Sequence, residues 1–137
     1  MTLSFRYKSI SRPNGTSIKT PSILVILRGG ESFDALALLD SGADISAIPR
    51  DIAEALQLDL TGNKSSAFGV GGTVDSVETK MEVHVGKGHE RYCFNIPVKV
   101  ILDPYDLPIL LGRSGFFDKF VVSFDQSREK VSLKRVR

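Results

Sequence analysis

The chain has 137 residues, enough for one domain with a substantial core. It is 42% hydrophobic and 25% charged, an ordinary globular balance, and a formal net charge of +2 is too small to call for a nucleic-acid partner. The densest apolar run, Ile23–Leu27, has five residues, far short of the ~20 that cross a bilayer.

The elements follow in chain order. The opening "MTLSFRYKSISRPNG" has no apolar h-region of a signal peptide. With the single Cys93 unable to close an intramolecular disulfide, the expected compartment is the cytoplasm. "SILVILR" (Ser22–Arg28) is β-branched and apolar and reads as a strand, closed by a hairpin-like turn at Gly29-Gly30. "FDALALLD" (Phe33–Asp40) returns beside it. "PRDIAEALQL" reads as a helix, with Pro49 and Asp51 in its first turn and Ile52, Ala55 and Leu56 forming one apolar stripe.

"TVDSVETKMEVHVG" (Thr73–Gly86) reads as a long strand with Met81, Val83 and Val85 on one face and Glu82 and His84 on the other. After a turn at Lys87–Glu90, "RYCFNIPVKVIL" alternates again, setting Tyr92, Phe94, Ile96, Val98 and Val100 on one face. Pro97 favours an edge or a bulge. "RSGFFDKF" (Arg113–Phe120) reads as a second short helix, and the tail as two strands around a polar turn at Asp125–Glu129. The sum is a mainly β domain, 1–137, with two short helices.

Three segments stand out: "LLDSGAD" (Leu38–Asp44), "GVGG" (Gly69–Gly72) and "ILLGRS" (Ile109–Ser114). Alone, Asp-Ser-Gly is ordinary turn chemistry. "GVGG" alone could be a phosphate loop, but it lacks the Lys-Ser/Thr of one, and a β-rich stretch follows it. "ILLGR" alone would be a buried strand ending in a turn. In this order the three resemble the retroviral-type aspartic proteases, the retropepsins, over roughly residues 22–124.

The resemblance implies an all-β, closed barrel-like fold with a flap hairpin, and an aspartic endopeptidase without metal or other cofactor. Such an enzyme needs one group to deprotonate an attacking water and another to protonate the leaving amine. Two adjacent carboxylates can do both, because like charges held close cannot both ionise easily and so share a proton. Asp40 matches the family's catalytic acid. Neither Asp75, Asp103, Asp106, Asp118 nor Asp125 is followed by Ser/Thr-Gly. The dyad therefore needs a second copy of the chain, making homodimerisation a requirement of this reading.

The resemblance assigns the neighbours too. Ser41 supplies the hydroxyl that links the two active-site turns. Gly42 lets another backbone come close, and Ala43 keeps the site open. Asp44 holds the substrate main chain and faces Arg113, which with Gly112 braces the turn. Gly69, Val70, Gly71 and Gly72 form the flap tip, with Val70 as an apolar cap over an extended peptide. Val70, Ile45, Ile48 and Ile109 are the candidate pocket residues, and Lys19 is the nearest counterpart of the family's N-terminal basic residue. The segment Asp59–Ser66 absorbs a longer spacing between acid and flap, and the extra C-terminal strand implies a dimer interface built differently. The alternative from another class is a retropepsin-fold dimerisation or peptide-binding module without turnover.

The remaining polar residues read more plainly. One Cys and no His-x-x-x-His spacing assemble no zinc set. His84 is solvated beside Glu82, His89 sits in a turn, and Cys93 is a small packed residue. The basic "REKVSLKRVR" protects an edge strand rather than binding nucleic acid.

Overall fold

A computed structural model describes residues 2–69, 72–104 and 106–137. The strands are β1 (Thr2–Arg6), β2 (Lys8–Ser11), β3 (Ser17–Thr20), β4 (Ser22–Arg28), β5 (Ser32–Leu39) and β6 (Ser46–Pro49). After helix α1 (Arg50–Ala55) come β7 (Lys64–Gly69), β8 (Gly72–Lys87), β9 (Glu90–Ile101), β10 (Ile109–Leu111), β11 (Phe120–Asp125) and β12 (Lys130–Arg135). Among the described residues no helix is long and apolar enough to cross a membrane.

Seven strands run in the order β4-β5-β10-β6-β9-β8-β7, and a further β4–β8 pairing joins the ends of the first six. The sheet therefore closes into a barrel, with β7 branching from β8. β8 makes this possible by its length. Its first residues pair with β7, from Gly69↔Gly72 to Lys64↔Val77. Further along, the same edge pairs with β4 over Ile26↔His84, Leu27↔Val83 and Arg28↔Glu82.

Strict alternation explains the interior. Ile23, Val25 and Leu27 of β4, Met81, Val83 and Val85 of β8, and Ile96, Val98 and Val100 of β9 are all buried, because a period of two sends every second side chain inward. Pro97 occupies the position just before β6 joins β9 at Ser46↔Val98. It thus sits where β9 is still an edge and its missing N–H breaks no ladder.

A separate antiparallel sheet, β1-β12-β11, brings the two chain ends together. Leu3, Phe5, Val131 and Leu133 are buried and join the same core cluster as the barrel residues. Two expectations change here. Residues 2–20, given no element from sequence, contribute three strands. The basic tail segment is the middle strand of its sheet rather than an edge, and its alternation of buried Val131 and Leu133 with exposed Lys130 and Lys134 fits that place.

The helices also differ from expectation. α1 spans only Arg50–Ala55, and the left-handed backbone of Gln57 (φ 57°) stops it. Its buried side is Ala53 and Leu56, while Ala55 is exposed. The expected helix over Arg113–Phe120 reduces to a single 3-10 turn, Phe117–Lys119. Gly115 has φ +89°, which does not continue a right-handed helix. Around it, the N–H groups of Phe117 and Asp118 reach back five residues to the carbonyls of Gly112 and Arg113, one residue wider than the α-helical pairing. The turn packs tightly: a Cβ on Gly115 would lie 2.8 Å from Pro97 Cδ.

Candidate active site

β5 runs parallel to β10, with Ala37↔Ile109, Leu38↔Leu110 and Leu39↔Leu111 in register. Leu39 and Leu111 are buried and fix the strand ends in the core. Asp40 follows at once, and its N–H donates to the Leu111 carbonyl at 3.0 Å. The acid is thus set by the last rung of a core ladder, not by a free loop.

The turn then folds back on the acid. Gly42 N–H donates to Asp40 Oδ1 at 2.9 Å, and Ala43 N–H donates to the Asp40 carbonyl at 3.2 Å. Asp40 Oδ2 receives no hydrogen bond among the described residues. Asp40 is half-buried, and Ser41 and Gly42 are exposed. One carboxylate oxygen is therefore held, while the other is left for an outside partner.

The segment after β10 braces the turn through backbone. Arg113 N–H donates to the Ala43 carbonyl at 2.9 Å, and Ser114 N–H to the Asp44 carbonyl at 2.8 Å. Gly112 is needed for close approach, since a Cβ there would stand 2.7 Å from the Ile45 carbonyl carbon and 2.9 Å from the Ala43 oxygen. Its N–H donates to the buried Ser46 Oγ at 2.9 Å. Sequence reading passed over Ser46; a serine at an inward position of an apolar strand was the available signal.

Asp40, Ser41, Gly42, Ala43, Asp44, Gly112 and Arg113 are thus brought together. The expected ion pair between Asp44 and Arg113 is absent among the described residues: Asp44 Oδ1 instead accepts from Ile45 N–H at 2.9 Å, and Arg113 is exposed. Gly69 and Gly72 end the β7–β8 hairpin, facing each other in register, while Val70 and Gly71 lie outside the described residues. Of the candidate pocket residues, Ile48 is fully buried in the core. Ile109 lines a groove with Pro49, Ile52, Leu107 and Pro108. Lys19 lies 4.0 Å from Glu129, an exposed contact between the β2–β3 hairpin and the turn preceding β12.

A second polar cluster lies on the outer face of the barrel. His84 Nε2 stands 2.5 Å from Glu82 Oε1 and 3.5 Å from Cys93 Sγ. Contacts with His84 and then Cys93 hold the Glu82 carboxyl below its usual range. Partial desolvation, reinforced by Glu82, raises the Cys93 thiol. Cys93 is exposed, not packed as sequence suggested.

Superposition on solved structures matches this chain over 97% of its length to 91% of the chain of a retropepsin-like aspartic protease from Rickettsia conorii, with TM-score 0.59 and 19% identity. The fold is retropepsin-like. EIAV protease complexed with the inhibitor HBY-793 also aligns, over 69% of this chain and 83% of that one, at TM-score 0.46 and 26% identity. No protein-family model matches the sequence, and no curated protein matches it. In the retropepsin-like fold seen here, the Asp40 turn and the Gly112–Ser114 segment meet at the ends of the two parallel strands, β5 and β10.

Proposed function

We propose that this single-domain chain is an aspartic endopeptidase acting as a homodimer, with one Asp40 from each protomer forming the catalytic dyad. The observation that carries this reading is the Asp40 carboxylate itself. It projects from a turn braced by core strands, with Oδ1 held by Gly42 N–H and Oδ2 without an intramolecular donor among the described residues. The retropepsin-like fold supports it further.

The mechanism follows from the two carboxylates. One deprotonates a water as it attacks the scissile carbonyl. Its protonated partner polarises that carbonyl and then delivers the proton to the leaving nitrogen. No covalent intermediate is needed. Ser41, exposed next to the acid, links the two turns across the two-fold axis. Asp44 lies beyond the turn and accepts from the main chain of an extended peptide. The β7–β8 hairpin, ending at Gly69 and Gly72, closes over that peptide as a flap.

The test is a peptide-library cleavage assay beside sedimentation, on the wild type and Asp40→Asn. Removing the acid–base group should lower turnover by about 10²–10⁴-fold or more with the circular-dichroism spectrum unchanged. Full activity in Asp40→Asn refutes the dyad. A dimer that binds peptides without cleaving them identifies a peptide-binding module instead.

A further inference from the structure

We propose that Glu82, His84 and Cys93 form a binding site for a divalent zinc-type ion on the outer face of the β8–β9 hairpin, independent of the Asp40 turn. The register creates it. His84 and Cys93 are directly opposed across the two strands, and Glu82 is two residues from His84 on the same face. Directly opposed side chains have Cβ atoms about 5 Å apart, and here one ligand atom from each of the three lies within 4.8 Å of the others.

The distances suit a tetrahedral ion. With a metal–sulfur bond of ~2.3 Å and a metal–nitrogen bond of ~2.0 Å, the S···N edge of the tetrahedron is about 3.5 Å. Cys93 Sγ and His84 Nε2 already stand 3.5 Å apart. The N···O edge is about 3.3 Å. The Glu82 carboxylate, 2.5 Å from the ring, must therefore withdraw by about 0.8 Å, which side-chain rotation supplies.

The donor set is one thiolate, one imidazole and one carboxylate, the mixed S/N/O set that zinc takes and that magnesium or calcium does not. Its summed charge of −2 balances the ion. Glu82 and His84 side chains are about one-third exposed, at 36% and 33%, so an ion can enter from solvent and keep a fourth position for water. Arg28, paired in register with Glu82 on the neighbouring β4, eases ionisation of the ligands but also repels an arriving dication, so the affinity must come from the three ligands themselves. A bound ion would staple β8 to β9 from outside the barrel.

The experiment uses the whole chain, Co(II) as a spectroscopic probe and Zn(II) as competitor. Expected are one equivalent of Co(II), a thiolate-to-cobalt charge-transfer band, and its loss on adding Zn(II). Cys93→Ser and His84→Ala should each weaken binding by at least about tenfold. In the wild type, Zn(II) should slow alkylation of Cys93 by iodoacetamide by about tenfold or more, a readout that needs no variant to fold. Binding undiminished in Cys93→Ser, a cobalt spectrum without the thiolate band, or alkylation unaffected by Zn(II) would overturn the proposal.

Discussion

Ser46→Ala isolates the brace behind the candidate catalytic turn. Ser46 is fully buried, and its Oγ accepts the Gly112 N–H at 2.9 Å. Gly112 follows Leu111, whose carbonyl receives the Asp40 N–H. Alanine removes the acceptor without adding volume, so the Gly112 N–H is left buried and unpaired at a cost of about 1–3 kcal/mol. At an unfolding entropy of ~2.1 cal/mol/K per residue, 137 residues turn that cost into a Tm fall of about 4–10 °C. Urea unfolding measures the free energy directly, and running wild type and variant at the same protein concentration keeps the mass-action contribution of dimerisation on an equal footing. Ser9→Ala, at an exposed position of β2 away from the candidate site, should fall within about 0.5 kcal/mol of wild type. If Ser46→Ala costs no more than Ser9→Ala, the Gly112–Ser46 bond does not support the turn and the reasoning fails.

Two further outcomes are expected. Gly115→Ala places a side chain at φ +89° and 2.8 Å from Pro97 Cδ; it should cost about 1–3 kcal/mol, and thermal melting at the wild-type midpoint would contradict the packing described. Asp125 has its carboxyl held below the ordinary 3.8 by the Ser127 hydroxyl first and then the Arg128 N–H. A depressed folded-state value gives stability that is present above the unfolded value and lost as pH falls through the folded one. The stability gap between wild type and Asp125→Asn should therefore be full near neutral pH and shrink below about pH 4. A gap independent of pH across that range would show that the turn does not depend on the ionised carboxylate.

Much of the barrel was legible because its signals are local. Met81, Val83 and Val85 alternate with Glu82 and His84, and every one of the three apolar residues is buried. The tail hairpin around Asp125–Glu129 was equally plain. The N-terminal strand was not, although Leu3, Phe5 and Tyr7 repeat at the right period and are all buried. Its partner, β12, lies at the opposite end of the chain, and no turn announces a pairing so distant. That same pairing turned an expected edge strand into a central one.

The misread segment after β10 has a different cause. Phe116, Phe117 and Phe120 resemble a helical apolar stripe, but the close approach of Gly115 to Ile96 and Pro97 decides the backbone there, and that is tertiary information. At the candidate site, the acid and its turn could be read from "LLDSGAD", and Gly112 and Arg113 were expected to brace it, but how they do so could not be read. An Asp44–Arg113 ion pair was what the family resemblance implied. Main-chain hydrogen bonds from Arg113 and Ser114 hold the turn instead, and such bonds leave no mark on residue identity. The Glu82–His84–Cys93 cluster depends on hairpin register, which spacing rules for metal motifs do not consider.

The change of partner along β8 has a consequence for how this protein tolerates altered length. One edge of β8 is bonded to β7 near its start and to β4 further on, while the other edge is bonded to β9. Adding or removing one residue between Val77 and Glu82 would rotate everything on one side of the change by half a pleat, exchanging inside for outside. Either the hairpin or the barrel wall would be inverted relative to the other. Changes of length are therefore accommodated at the turns, such as Lys87–Glu90 and the loop 59–63, and the span of the hairpin and the girth of the barrel are set together by one strand.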